Sequence, residues 1–152
     1  MYIAWAYLDK KSAAVSAIKD YTDMEFIINN TPDDVVDVRM KMTAAKIPVV
    51  SDEPKGTPDP HAGEARLVSQ IDEIDVLKER YRRALEYMEW FRPAWETLTN
   101  DERVILSEFY MGGSLRSGAG ARLEARMNYG SAQIERLRSK ALSRLTVLLF
   151  GR

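Results

Sequence analysis

The sequence predicts an all-α protein, in which an N-terminal antiparallel helical hairpin precedes a C-terminal group of shorter helices. Apolar residues recur at intervals of three and four over most of the 152 residues, which is the period of an amphipathic helix. Four of the six prolines fall between residues 47 and 63, where they predict the loop of the hairpin. A composition of 45% apolar and 30% charged residues is typical of a folded protein rather than a disordered one.

The first 43 residues predict two helices in succession. Apolar residues recur at helical spacing between residues 11 and 28, with no glycine or proline among them. The segment Thr31–Pro32–Asp33–Asp34 then has the features of a helix start: a capping threonine, a proline at the first helical position and two acidic residues in the first turn. We therefore expect a second, short helix from Pro32 to about Met42.

The longest uninterrupted helical pattern runs from Gly63 to about Leu98. Its apolar residues fall on one face of a helix: Leu67, Ile71, Ile74, Leu77, Tyr81, Leu85, Met88 and Phe91. A helix of about 30 residues is roughly 45 Å long, too long to bury this face within a small globule, so it needs a helical partner. We expect the N-terminal helix to pack against it antiparallel, and a homodimer through the long helix is the alternative. Residues 1–97 are thus predicted to be a hairpin that serves in packing or oligomerisation.

Residues 98–152 are predicted to form a second domain, which begins with a well-marked helix. The segment Thr99–Asn100–Asp101–Glu102 has the form of a capping box, in which the first and last side chains satisfy backbone N–H groups at the helix start. Gly112–Gly113 can end this helix. A short helix from Ala121 to Met127 should follow, with Ser117 or Ser114 as its N-cap residue.

A three-residue break separates this short helix from the last one. The segment Asn128–Tyr129–Gly130 favours a tight turn, because Asn and Gly tolerate positive φ. Ser131 then begins a helix that meets no breaker before Phe150. Two helices that cross at a steep angle need apolar residues where they touch, and five residues have suitable positions: Leu123, Met127, Tyr129, Ile134 and Leu137.

The net charge of −1 conceals an uneven distribution of charge. Residues 1–111 contain 14 basic and 21 acidic residues, whereas residues 112–152 contain 8 basic and 2 acidic residues, which gives net charges of −7 and +6. A local charge of +6 suits a surface that holds phosphates. The alternative is a solvated helix face whose charge is balanced by the acidic part of the chain.

Two helices joined by about three residues, of which the second is longer and basic, form the layout of a helix-turn-helix. A set of residues in this segment carries a more specific similarity: Leu98-Thr99, Glu102-Arg103, Val104, Leu106, Tyr110, Gly112, Leu123, Met127, Ser131, Ile134, Ala141-Leu142 and Leu145. In these residues the segment resembles region 4 of bacterial sigma factors, the helix-turn-helix that reads the −35 element of promoters.

The order of helix, Ser51–Gly56 loop, long helix and sigma-like end resembles small phage and prophage proteins of Gram-positive bacteria along the whole chain. The nearest described relatives of that group are late-gene transcriptional activators of the RinA and ArpU kind. The resemblance implies a transcriptional regulator that binds promoter-like double-stranded DNA, with RNA polymerase as a candidate partner. The sigma region that melts promoter DNA has no counterpart in this sequence, so the chain would not be a complete sigma factor.

The last two helices supply the predicted DNA contacts. The first turns of the final helix should enter the major groove, where four residues read base edges: Ser131, Ala132, Gln133 and Arg136. Basic residues of both helices are expected to contact phosphates: Arg122, Arg126, Arg138, Lys140 and Arg144. DNA repels the carboxylate of Glu135 unless it accepts a hydrogen bond from a cytosine or pairs with Arg138 or Ser139.

Composition argues against catalysis and export. The chain has no cysteine and one histidine, His61, which excludes disulfides, thiolate metal sites and histidine-rich zinc sites. The glycines around Ala119 follow no predicted strand and precede no Gly-Lys-Ser/Thr, so a nucleotide cradle is not expected. The longest apolar run, Met1–Leu8, is far too short to span a bilayer. We expect a cytoplasmic protein with no enzymatic activity, cofactor, metal or membrane partner.

Two other functions stay open from the sequence. Small terminase subunits of DNA-packaging machines also join a helix-turn-helix to a helical oligomerisation segment, and ring assembly in solution would favour that function. A helical adaptor that contacts RNA polymerase and never DNA is the second. The target DNA sequence, the regulated genes and the oligomeric state do not follow from the residues.

Overall fold

The computed structural model describes residues 9–44, 61–112 and 117–151, and within these ranges the chain forms helices and no β-strand. The five helices are α1 (Lys10–Ala44), α2 (Ala62–Thr97), α3 (Asn100–Tyr110), α4 (Ala119–Met127) and α5 (Ser131–Phe150). The predicted all-α class is therefore confirmed for the described part of the chain. The predicted loop at 47–63 lies outside the described residues up to residue 60, and α2 already includes its last two residues. None of the described helices is long and apolar enough to cross a membrane.

Helix α1 is continuous through Pro32, so the expectation of two helices with Thr31 as the cap between them is wrong. The start of α1 is marked instead by Asp9, whose Oδ1 accepts from the backbone N–H of Ser12 at 3.1 Å. A proline inside a helix removes one backbone hydrogen bond and costs about 3 kcal/mol. Thr31 and Val38 are both buried, and the burial of side chains around the proline offsets this cost.

The described chain divides into two compact units. One unit consists of Met1–Met24 and Glu86–Arg152, and the other is Glu25–Leu85. Helices α1 and α2 each run through both units. The two compact units do not bear on the predicted domain boundary between residues 97 and 98. The antiparallel packing of α1 on α2 likewise stays a prediction.

Phe91 is fully buried in the core of the first unit. The centroid of its ring lies 5.7 Å from that of Tyr21, 5.3 Å from that of Tyr87 and 5.6 Å from that of Trp95. The buried residues of this core are Ala17, Ile18, Phe91, Ala94, Leu98, Leu106, Ala141 and Leu145. One core thus joins residues of α1 and α2 to the C-terminal helices that carry the predicted site.

Tyr87 supplies a polar link inside the same unit. Its hydroxyl donates a hydrogen bond to the backbone carbonyl of Ala17. Burial of the phenol raises the pKa of Tyr87 above its ordinary value, and the neighbouring Asp20 and Tyr21 add to the shift. The ionised form of this side chain is therefore disfavoured in the folded protein.

The described part of the second unit buries little of its apolar surface. Four of its described residues are buried: Thr31, Val38, Ile74 and Ala84. Large apolar side chains are exposed on both of its helical segments: Phe26, Val36, Met40, Leu67, Val68, Ile71, Val76 and Leu85. Within this unit, the predicted apolar stripe of α2 is thus buried at Ile74 but exposed at Leu67, Ile71 and Leu85, so the described residues do not cover it along its whole length.

Candidate nucleic-acid interface

Helix α3 begins with the predicted capping box. The hydroxyl of Thr99 accepts from the backbone N–H of Glu102 at 3.3 Å, and the backbone N–H of Thr99 donates to Oε2 of Glu102 at 2.9 Å. Both donors would otherwise lack a partner at the start of the helix. This reciprocal pair of bonds defines where α3 begins, and α3 is the helix on which the last two helices pack.

Helix α4 begins earlier than predicted, and neither candidate serine caps it. Its N-cap residue is Gly118, with a φ of 78°, and no side chain accepts a hydrogen bond from its first turn. Ser117 is therefore not the cap, and Ser114 lies outside the described residues. The left-handed conformation explains the difference, because glycine adopts it at low cost and turns the chain into the helix without a capping side chain.

A three-residue connection, Asn128–Gly130, joins α4 to α5 as the sequence predicts. Asn128 has a φ of 57°, and its backbone N–H donates to the carbonyl of Glu124 at 3.0 Å, which ends α4. Gly130 is extended, and α5 then runs from Ser131 to Phe150 with the predicted bounds. Positive φ at Asn128 changes the chain direction within one residue, so that α5 packs on α4.

A small apolar cluster holds α3, α4 and α5 together. Its buried residues, one from each helix, are Ile105, Leu123 and Ile134. The half-buried residues packed against them are Val104, Phe109, Met127, Tyr129 and Leu137. All five residues that the sequence predicts at the contact of the last two helices belong to this cluster. One face of α5 is thereby buried, and the opposite face, called here the outer face, is exposed.

The four predicted base-reading residues are all exposed in the first two turns of α5: Ser131, Ala132, Gln133 and Arg136. A shallow, open depression follows the outer face and is lined by Ala132, Glu135, Arg136, Ser139, Lys140 and Ser143. Their spacing of three and four residues places these six side chains along one side of the helix. Of the four predicted base-reading residues, Ala132 and Arg136 line the depression of the outer face, whereas Ser131 and Gln133 do not. The structure thus brings three predicted contact residues to one surface: Ala132, Arg136 and Lys140.

Two of the predicted phosphate contacts pair with carboxylates of α3. Nε of Arg122 lies 3.2 Å from Oε2 of Glu108. Nη1 of Arg144 lies 3.0 Å from Oε2 of Glu102, the acidic residue of the capping box, and Nη2 donates to the carbonyl of Thr97 at 3.3 Å. Both guanidinium groups therefore fasten the last two helices to the preceding part of the chain, and a carboxylate compensates the positive charge of each.

Arg138 is held between a carboxylate and an aromatic ring. Its Nη2 donates to Oε1 of Glu135, one turn earlier in α5. Its guanidinium carbon lies 4.5 Å from the centroid of the Phe109 ring on α3, within the range of a cation–π contact. The side chain of Arg138 is 30% exposed, compared with 58% for Glu135. Glu135 therefore pairs with Arg138, one of the two partners that the sequence analysis names for it.

Three basic residues of α4 and α5 form no ion pair with any described residue: Arg126, Arg136 and Lys140. Arg136 and Lys140 lie along the depression of the outer face. Arg126, in the last turn of α4, lines a separate depression with Asn100, Asp101, Val104, Met127 and Tyr129. The uncompensated positive charge of the described site is thus concentrated on α5, with Arg126 beside it on another surface.

Sequence reasoning missed the carboxylates that hold the arginines. Glu108 precedes Arg122 by 14 residues and Glu102 precedes Arg144 by 42, so no helical spacing connects them. The sequence also gives no sign of a cation beside the ring of Phe109. These contacts arise from the packing of α3 against the last two helices, and periodicity along one helix does not report them.

Comparison with known proteins finds no matching family model, no similar curated protein and no similar solved structure. The resemblance to sigma region 4 and to phage regulators stays a prediction from the sequence.

Proposed function

We propose that this chain is a phage- or prophage-type transcriptional regulator, which binds promoter-like double-stranded DNA through α4 and α5 acting as a helix-turn-helix of the sigma region 4 kind. In this proposal α5 is the recognition helix and enters the major groove with its first turns. Segments of α1 and α2 form an antiparallel hairpin that supports this domain or joins two copies of the chain. RNA polymerase is the proposed protein partner.

One observation carries the proposal: α5 buries one face in the cluster with α3 and α4 and has an open basic depression on the other. A recognition helix needs this division, because only side chains that the protein's own core does not use can reach base edges. Arg136 and Lys140 lie on the outer face without a carboxylate partner among the described residues, so their charge is available to a polyanion. A merely solvated face would explain the exposure but not this concentration of unpaired charge.

The residues at the start of α5 have distinct roles in the proposal. Arg136 can donate two hydrogen bonds to O6 and N7 of a guanine, and Gln133 can pair in the same manner with an adenine. The methyl group of Ala132 suits the methyl group of a thymine, and Ser131 can donate to a base edge. Lys140 lies farther along the helix and is suited to a phosphate, which positions the protein without reading sequence.

An electrophoretic titration of the full chain tests the proposal. Wild type is titrated against a random duplex and a −35-like duplex at about 50 and 200 mM salt. We expect both duplexes to bind, the −35-like duplex more tightly, and both more weakly at high salt. The Arg136→Ala variant should lose roughly 1–3 kcal/mol of the preference and keep most of its non-specific affinity. Arg66→Ala, which removes one exposed positive charge from α2, is the matched control.

Each other outcome points to a different function. If neither duplex binds at low salt, DNA binding is excluded, and a pull-down of RNA polymerase then tests the adaptor function. If both duplexes bind equally and Arg136→Ala behaves as wild type, α5 does not read bases. A ring assembly, detected by light scattering and electron microscopy, would favour the DNA-packaging function.

A further inference from the structure

We propose that Glu135 is a further base-reading residue, which accepts a hydrogen bond from the N4 amino group of a cytosine, and that Arg138, stacked on Phe109, positions its carboxylate. This inference rests on the proposed DNA-binding function. It adds one specific base contact, made by Glu135, and two residues that orient this side chain, Arg138 and Phe109.

The orienting contacts form a chain that starts in the core of the site. Phe109 packs against the cluster that joins α3, α4 and α5. The guanidinium of Arg138 lies over its ring at 4.5 Å and donates through Nη2 to Oε1 of Glu135. An exposed glutamate on a helix would otherwise sample several rotamers. Here Arg138 contacts both the carboxylate of Glu135 and the ring of Phe109, which packs against the core. The side chain of Glu135 is therefore already restricted before binding, and it loses less conformational entropy when it binds.

In the proposed complex, Glu135 lies close enough to the major groove to contact a base edge. It lines the same depression as Ala132 and Arg136, and it directly precedes Arg136 in α5. A duplex that brings a guanine to Arg136 therefore brings a neighbouring base pair to Glu135. Arg138 occupies Oε1, whereas Oε2 forms no hydrogen bond with a described residue and is available as an acceptor.

The chemistry of the major groove selects the base. An ionised carboxylate only accepts hydrogen bonds, and the edges of guanine and thymine present acceptors that repel it. Adenine offers its N6 amino group beside the acceptor N7, whereas cytosine offers its N4 amino group alone. A carboxylate therefore favours cytosine. Pairing with Arg138 also compensates the negative charge that Glu135 would otherwise bring to the phosphates.

Binding-site selection on the full chain is the first test. Wild type should select a cytosine at a position adjacent to the one that Arg136 reads. Glu135→Ala should lose this preference, roughly tenfold in relative affinity, and Glu135→Gln should shift it towards adenine, because an amide both donates and accepts. The other positions of the motif should be unchanged. Glu124→Gln, which removes the acidic side chain of α4, is the matched control and should select the wild-type motif.

A modified duplex tests the contact at the level of one atom. The selected cytosine is replaced by a 2-pyrimidinone nucleotide, which lacks the N4 amino group. Wild type should bind this duplex roughly tenfold more weakly than the unmodified one, whereas Glu135→Ala should bind both equally. Equal binding of both duplexes by wild type would overturn the contact.

The role of Arg138 has its own readout. Arg138→Met keeps an apolar side chain on Phe109 but removes the donor to Glu135, so the cytosine preference should fall several-fold while the other positions are kept. Arg138→Lys should restore part of the preference. A purely structural pair would change the melting temperature without changing the preference at one base position, and that result would overturn the positioning role.

The outcomes separate this inference from the function on which it rests. If wild type binds no duplex, the proposed function fails and the inference fails with it. If wild type selects a motif and Glu135→Ala selects the same motif with the same preference at every position, only the inference is overturned. A uniform gain in affinity of Glu135→Ala for all duplexes, with an unchanged motif, would likewise overturn it, because Glu135 would then only repel DNA.

Discussion

The salt dependence of the proposed DNA binding would distinguish the predicted phosphate contacts that act on DNA from those that stabilise the fold. Each neutralised phosphate adds about 0.9 to the slope of log affinity against log salt. If all five predicted residues bind phosphates, the slope is about −4.5, and affinity falls about 500-fold between 50 and 200 mM salt. If only Arg126 and Lys140 do so, the slope is about −1.8 and the loss is about 12-fold.

The ion pairs in the structure favour the shallower slope of about −1.8. The other three predicted contacts already pair with carboxylates: Arg122, Arg138 and Arg144. A guanidinium that has a carboxylate partner adds little net charge at the phosphates and so releases fewer counterions. Arg126→Ala and Lys140→Ala should therefore each reduce the slope by about 0.9. Arg144→Ala should leave the slope unchanged and lower the melting temperature, because it leaves the 14% exposed side chain of Glu102 without its arginine.

Fluorescence anisotropy with a labelled random duplex measures these slopes. The five single variants and wild type are titrated at several salt concentrations, and circular dichroism gives their melting temperatures. Arg66→Ala serves again as the control for loss of one exposed charge. A wild-type slope near −4.5, reduced equally by all five substitutions, would show that DNA displaces the carboxylates from their arginines, and it would refute the reasoning from ion pairing.

Three further predictions concern stability. Phe91→Ala should lower the free energy of unfolding by about 3–5 kcal/mol in urea denaturation, because a fully buried ring is lost; a loss under about 1 kcal/mol would contradict the packing. Asn128→Ala should destabilise by about 1 kcal/mol because φ is positive there, whereas Asn128→Gly should not, and equal melting temperatures of the two variants would count against the turn. The folded state raises the pKa of Tyr87, so its contribution is complete below the ordinary tyrosine pKa of about 10 and is lost as pH rises above it. Thermal melts from about pH 9 to 11 should show this loss in wild type and not in Tyr87→Phe.

The start of α3, the end of α4 and both ends of α5 could be predicted to the residue, because local backbone chemistry determines them. The start of α4 could not, because Gly118 replaces a capping side chain there. Thr99 and Glu102 form the capping box that their spacing predicts. Asn128 takes the positive φ that ends α4, and Ser131 begins α5. The apolar spacing of the two helices also predicted which residues pack together, since a helix of known phase has a known inner face.

The continuity of α1 could not be predicted in the same way. A threonine before a proline and two acids is a sound local signal for a helix start. Burial decides against it here, because Thr31 and Val38 are inside the structure and their packing outweighs the cost of Pro32 within a helix. A signal of four residues carries no information about the tertiary contacts that those residues form with the rest of the chain.

The net charge of the C-terminal segment likewise does not report the tertiary contacts of its basic residues. The net +6 of residues 112–152 overstates the charge that is free to bind a polyanion, because Glu102 and Glu108 of α3 pair with two of its arginines. Non-specific affinity depends on this sequence-independent term, so a site with few free phosphate contacts binds random DNA weakly. Under the proposed function, discrimination would then depend mainly on base contacts along α5, where a wrong base costs roughly 1–3 kcal/mol. The small number of unpaired cations beside the predicted base-reading residues would therefore favour specificity over total affinity.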